Sequence, residues 1–164
     1  MKQEHDFDSI YQLYFKKVHR LCMGYFDGDS DIASDATQEV FIKVWENLSK
    51  FRNDSNISTW IFRIASNTCL MYLRKQTNSK EVKTEQFSEI SVENDSVETE
   101  DKLSKMYGCI QQLDPTNKLI IMMVLEGLTY DKIAIIIGIT EENLRVKIHR
   151  IKSKLTKCVQ NGRI

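Results

Sequence analysis

The chain has 164 residues, and its 23 Lys and Arg balance 23 Asp and Glu, for a formal net charge of zero. A single proline and six glycines argue against a turn-rich β fold and for long helices. No apolar run approaches the ~20 residues that span a bilayer, and Met1 to Phe7 lacks the apolar centre of a signal peptide, so a cytoplasmic protein is expected.

Apolar side chains recur at helical spacing near the start of the chain: Phe7, Ile10, Tyr11, Tyr14, Val18 and Leu21 predict a first helix over about 6–26. Asp27 to Ser30 breaks it. A second helix is predicted over 31–50, with Phe41, Val44, Trp45 and Leu48 on a core side. Asp35, Gln38, Glu39 and Ile42 fall on the other side. Acids, an amide and one isoleucine suit a protein interface against a basic surface, but an ordinary wet face has the same pattern.

Phe51 to Ser58 is polar and turn-like, and a third helix follows over 59–75. Most of its circumference is apolar. One strip departs from this: Arg63, Asn67 and Arg74 lie together, flanked by Trp60, Leu70 and Met71. Cations, an amide and an aromatic side by side make a platform for unpaired bases, because arginine holds phosphate and a ring stacks on a base. Phe51 and the loop after it could shape a pocket for an extruded base. Trp60 as a plain core residue is the competing reading.

Residues 76–101 are rich in Ser, Thr, Asn and Glu and show little periodicity, which predicts a flexible acidic linker. The stretch 76–104 carries a net charge of −5, and 105–164 a net of +5. The expected organisation is therefore an N-terminal helical domain at 1–75, a linker at 76–101, and a second helical domain at 102–164.

Within that second domain Asp114 and Pro115 mark a helix start, an N-cap candidate followed by proline at the first helical position. Helices are predicted over 102–112, 115–126, 129–136 and 140–159. From Leu128 to Arg150 the pattern is a short helix, a turn at Gly138 and a longer helix, which is the layout of a helix-turn-helix. Ala134 permits close helix approach, and Gly138 permits the left-handed backbone of the turn. Ile133, Ile137, Ile139 and Leu144 can fill the wedge between the helices.

In the last helix Leu144, Ile148, Ile151 and Leu155 form one apolar stripe. Arg145, Val146, His149 and Arg150 fall opposite it, with Lys147 at the flank. From Asn143 onward there are seven cations and no acid. Arginines there suit guanine edges or phosphates, Val146 a thymine methyl, and the lysines phosphate contacts. A solvated basic face would look similar. Cys22, Cys69, Cys109 and Cys158 are scattered without a paired spacing and are expected as reduced, mostly buried thiols. The chain has no nucleophile with an activating set, no paired metal carboxylates and no Gly-rich phosphate loop, so neither an enzyme nor a cofactor or metal site is expected.

Taken in order, Asp35 to Trp45, Phe51 to Asn67, Leu113 to Pro115 and Glu126 to Thr129 resemble the sigma factors of bacterial RNA polymerase, in particular the extracytoplasmic-function (ECF) group. The resemblance covers nearly the whole chain. It implies an all-α fold of two small helical domains joined by a flexible linker, the C-terminal one a helix-turn-helix. It implies a factor that directs polymerase to promoters and helps open the DNA. Asp35, Gln38, Glu39 and Ile42 would bind the polymerase core, through its β′ coiled-coil, with β a further core partner. Phe51, Arg52, Trp60, Arg63 and Asn67 would serve the −10 element, with one base flipped from the non-template strand. Arg145, Val146, Lys147, His149 and Arg150 would face the −35 element. An anti-sigma factor, often membrane-bound in this family, is the further partner implied. The alternative is an ordinary helix-turn-helix regulator acting as a dimer.

Overall fold

The computed structural model describes residues 5–78 and 97–162; most of the expected linker at 76–101 lies outside them, and its described ends, 76–78 and 97–101, are helical rather than linker. Among the described residues all regular structure is helical. The helices are α1 (Phe7–Tyr25), α2 (Ser30–Asn47), α3 (Ile57–Asn78), α4 (Val97–Gln111), α5 (Pro115–Leu125), α6 (Tyr130–Ile137) and α7 (Glu141–Asn161), with a 3-10 turn at Leu48–Lys50 after α2. They fall into two units, Met1–Glu85 and Gln86–Ile164.

In the first unit α2 packs against both α1 and α3. Helix α1 stops where Asp27 and Gly28 both take positive φ, 58° and 83°. Asp29 then starts α2, its Oδ1 accepting the Ile32 N–H at 3.2 Å. The core is built from Val18, Leu21, Ala33, Ala36, Val40, Val44, Ile61, Phe62, Ala65 and Cys69, all fully buried. The two alanines let α2 approach its neighbours closely. Burying a side chain as large as Phe62 contributes about 1.5–3 kcal/mol. Thr37 and Thr68 are buried without penalty because their hydroxyls donate to the Ala33 and Ile64 carbonyls, at 2.7 and 2.8 Å.

Trp45 is not in this core: it is 66% exposed. The buried face of α2 runs through Ala33, Ala36, Thr37, Val40, Phe41 and Val44. At about 100° per residue, Trp45 lies roughly 100° around the helix from the centre of that face. It sits instead with Gln38 and Ile42, its indole edge-on to Phe7 of α1 with centroids 5.1 Å apart.

The second unit begins with α4. Asp114 starts α5 by accepting the Asn117 N–H at 2.8 Å, with Pro115 next in the chain. Helix α6 ends at Gly138, whose φ is +83°. The Gly138 and Ile139 N–H groups both return to the Ala134 carbonyl, at 2.8 and 3.1 Å. Thr140 then caps α7, accepting the Asn143 N–H at 3.2 Å. Leu144, Ile148, Ile151, Leu155 and Cys158 are the buried residues of α7, and Ile133 and Ala134 pack beneath them from α6.

The cysteines depart from expectation. Cys22 and Cys69 are buried thiols, but Cys109 and Cys158 form a disulfide that ties α4 to α7. Helix packing brings these two Cα atoms to 5.9 Å, within the distance a disulfide needs. Their separation of 49 residues gave no hint of it.

Candidate nucleic-acid and protein interfaces

Three surfaces carry the residues singled out in the sequence. The first is the outer side of α2. Asp35, Gln38 and Ile42 are exposed and Glu39 is half-buried. Glu39 is already engaged: Lys43 Nζ lies 3.3 Å from its Oε1. Burial pushes the Tyr72 phenol up to about 12, and its hydrogen bond to Glu39 and that carboxylate's charge add to the shift. Gln38 and Ile42 join Trp45 and Phe41 in lining an apolar groove of about 420 Å³, closed on the α1 side by Phe7, Tyr11 and Phe15. Sequence reading missed the aromatic part of this surface. Its signal was the helical angle of Trp45, which places it beside Gln38 and Ile42 rather than with Val40 and Val44.

The second surface is a groove of about 380 Å³ where the end of α2, the following loop and α3 meet. Phe51, Trp60 and Asn67 line it, so three of the five residues proposed for the −10 element come together. Phe51 and Trp60 face each other with centroids 4.9 Å apart. Arg52 and Arg63 are exposed but do not line the groove. Arg63 follows Trp60 by three residues, about 60° to one side on α3. Lys43, Asn47, Lys50 and Ile64 complete the lining. Sequence reading did not assign these. Lys43 and Asn47 are one helical turn apart on α2, and the Asn47 side chain donates to the Lys43 carbonyl at 2.8 Å. Lys43 also donates to Thr68 of α3 at 3.3 Å, fastening this side of the groove. Asn56 fixes the start of α3, its side-chain oxygen accepting the Ser58 N–H at 2.9 Å.

The third surface is α7. Arg145, Val146, Lys147, His149 and Arg150 are all exposed, and Val146, at 47%, is an apolar spot among cations. Arg145 is held rather than loose. Its Nη2 lies 2.7 Å from Glu141 Oε1, and its guanidinium lies over the Tyr130 ring of α6 at 5.3 Å. The turn at Gly138 thus brings Tyr130 beneath a residue of the next helix.

Among the described residues no group of His, Cys, Asp and Glu side chains is placed to hold a metal ion. No helix there is long and apolar enough to cross a membrane.

These features define a class: a two-unit helical protein whose second unit is a helix-turn-helix. Comparison with known proteins narrows it. The family described as Sigma-70 region 2 matches residues 10–79, and Sigma-70, region 4 matches residues 103–155. The chain is 30% identical to the ECF RNA polymerase sigma-E factor of Escherichia coli (strain K12), over 94% of this chain and 86% of that one. It is 27% identical to the RNA polymerase sigma factor YlaC of Bacillus subtilis (strain 168), over 99% of this chain and 97% of that one. In fold it is similar to the sigma factor RpoE of Bartonella quintana, solved in complex with the anti-sigma factor NepR. That likeness has a TM-score of 0.81 at 20% identity, covering 95% of this chain and 98% of that one. CnrH, solved with the cytosolic domain of CnrY, gives 0.69 at 17% identity, covering 94% and 87%.

The chain belongs to the ECF group of the sigma-70 family, the factors that direct RNA polymerase to promoters for transcription initiation. The alternative of a stand-alone dimeric regulator is not favoured, because the two family regions fall in order along one chain.

Proposed function

We propose a division of labour among the three surfaces. The outer side of α2, with Asp35, Gln38, Glu39 and Ile42 joined by Trp45, docks on the polymerase core at its β′ coiled-coil. The Phe51–Trp60 groove receives an unpaired base of the −10 element. Asn67 offers an amide to that base, while Arg52, Arg63, Lys43 and Lys50 attract the strand's phosphates. On α7, Arg145, Val146, His149 and Arg150 face the −35 element, and Lys147 contacts phosphate.

The energetics suit this reading. Extruding a base costs a few kcal/mol, and stacking it on an aromatic wall returns about 1–3 kcal/mol. Neither DNA contact needs to be strong alone. Held by the polymerase at one spacing, with the unit of α1 to α3 and the unit of α4 to α7 as the two DNA-binding domains of one chain, the second contact becomes effectively intramolecular. A net charge of zero fits a factor that binds DNA weakly until the polymerase holds it.

The protein carries out no covalent chemistry in this scheme and takes no cofactor or metal. It works in the cytoplasm, where the polymerase is. An anti-sigma factor, in some cases membrane-bound, restrains it by covering these surfaces, as NepR and CnrY are partners of the structurally similar RpoE and CnrH.

The observation that carries the proposal is the aromatic-walled groove with lysines at its margin in the first unit. A plain core tryptophan would leave no such opening. Run-off transcription with purified core polymerase tests it. Added chain should yield transcripts with discrete start sites, and Trp60→Ala should reduce them. Equal transcription with and without the chain would remove the proposal.

A further inference from the structure

Cys109 and Cys158 stand in the last turns of α4 and α7. Their bond closes a ring that contains α5, α6 and most of α7, so the whole helix-turn-helix lies inside it. Cys158 extends the buried stripe of Leu144, Ile148, Ile151 and Leu155 by one step. The bond therefore lies on the buried face of α7, away from the exposed Arg145, Val146, His149 and Arg150.

The bond is buried, with Cys109 4% and Cys158 0% exposed, but it lies against an opening. A groove of about 550 Å³ opens onto it, with Lys105, Gly108, Gln112 and Gly162 around the two cysteines. Gly108, next to Cys109, has no side chain, and a Cβ placed there would meet nothing within 4 Å. Gln112 reaches the rim, its Nε2 3.8 Å from Cys158 Sγ. A small thiol in this groove reaches the bond when the last turns of α4 and α7 open locally. In the first unit Cys22 and Cys69 stand with sulfurs 3.9 Å apart and unbonded. Each unit thus holds one pair of neighbouring cysteines, and only the pair that staples α7 is joined.

We propose that Cys109 and Cys158 form a reversible thiol–disulfide couple that sets how firmly α7 is held. The reductant is a small dithiol and the oxidant a small-molecule disulfide. In reduction, one thiolate of the dithiol attacks a sulfur of the bond, the S–S bond breaks, and a mixed disulfide forms. The reductant's second thiolate then displaces the cysteine from it. Two electrons and two protons pass to the pair, which becomes two thiols, and the dithiol leaves as a cyclic disulfide. In oxidation a Cys thiolate attacks the small disulfide. The second cysteine closes the bond, and two small thiols leave. Opening the ring frees the unfolded second unit of a constraint across 49 residues, which lowers its stability. A unit this small has little core to offset that loss. The consequence for promoter reading rests on the proposed role of α7; the couple itself does not.

The test uses the full chain, equilibrated in buffers of graded oxidised-to-reduced dithiothreitol. Each sample is denatured and alkylated, and its mass and linked peptides are determined. The oxidised chain should take up two alkyl groups and yield a Cys109–Cys158 linked peptide, whereas the reduced chain should take up four. Thermal unfolding of the second unit should fall by on the order of 10 °C on reduction. The Cys109→Ala/Cys158→Ala variant should melt like the reduced chain in both buffers. Four alkyl groups under oxidising conditions, a Cys22–Cys69 link in place of the predicted one, or equal melting of the wild type in both buffers would each overturn the couple. Duplex DNA of mixed sequence is then titrated in the same two buffers with the chain bound to core polymerase and, as a control, with core polymerase alone. No gain over core polymerase in either buffer, with the melting shift intact, would leave the couple standing and count against the α7 reading.

Discussion

The Phe51 and Trp60 rings lie with centroids 4.9 Å apart and planes tilted by 35°, two aromatic walls on one groove. Neither ring is fully buried, so each keeps a face available to a base. Trp60→Ala should therefore slow promoter opening by about 10- to 100-fold, the equivalent of roughly 1–3 kcal/mol of stacking. Trp60→Phe should lose much less. Chemical probing of unpaired thymines in the open complex reads this directly. If Trp60→Ala opened promoters at the wild-type rate while folding normally, Trp60 would be only a structural residue.

Glu141 holds Arg145 at 2.7 Å, and both side chains are well exposed, at 45% and 61%. An exposed pair one helical turn apart contributes less than about 1 kcal/mol to stability. Glu141→Gln should thus leave the unfolding midpoint almost unchanged. It should strengthen non-specific DNA binding by removing a negative charge from the reading face, and weaken discrimination among −35 sequences because Arg145 loses its support. Arg145→Ala should reduce that discrimination by about 1–3 kcal/mol if the arginine pairs with a guanine edge. Binding measured across a panel of single-base variants separates the cases. A uniform loss over the panel would make Arg145 a phosphate contact.

Gly138 sits at φ +83°, and a Cβ there would meet nothing within 4 Å. Any penalty for a side chain is therefore backbone strain alone. Gly138→Ala should destabilise the second unit by about 1–2 kcal/mol, and Gly138→Asn by less, since asparagine tolerates the left-handed region better. Urea unfolding of the full chain checks the order. Alanine and asparagine variants of equal stability would show that the turn relaxes to another conformation.

Tyr25 and Tyr72 are both pushed up to about 12, first by burial. For Tyr25 the further causes are the nearby Cys69 and Asp27. An unfolded tyrosine ionises near pH 10. Between about pH 10 and 12 the unfolded chain loses these protons while the folded one keeps them, so stability falls as pH rises. Below pH 10 the two phenols contribute no slope. Urea midpoints at pH 8 and pH 11, with phenolate absorbance followed in parallel, test this. A phenolate signal near pH 10 in the difference between the folded wild type and Tyr25→Phe would contradict the burial of Tyr25.

The helices were legible in the sequence because capping and turn signals are local. Asp114 before Pro115, Gly138, and the stripe from Leu144 to Leu155 each mark their element from within a few residues. The faces of α7 followed from that stripe by geometry alone. What could not be read locally depends on how helices pack. Trp45 fits an apolar spacing with Phe41 and Val44, which are buried as expected, and only the position of α1 and α3 decides that the buried face turns toward Ala33, Ala36 and Val40 and leaves Trp45 out. Lys43 and Asn47 join the Phe51 groove because α2 runs beside α3, which no spacing within α2 reveals. Cys109 and Cys158 are neighbours for the same reason. The Phe51, Trp60 and Asn67 cluster was found because loop and helix are consecutive in the chain.

The account stands most directly on association with polymerase. The measurement is equilibrium binding of fluorescently labelled full chain to purified bacterial core polymerase, repeated with Gln38→Ala/Ile42→Ala and with Trp45→Ala. All three of these side chains are exposed, so the variants should keep the wild-type helical signal. The account predicts saturable binding by the wild type and at least about tenfold weaker binding by each variant, as expected for removing an apolar anchor from an interface. No association by the correctly folded chain, or variants that bind as well as the wild type, would contradict it.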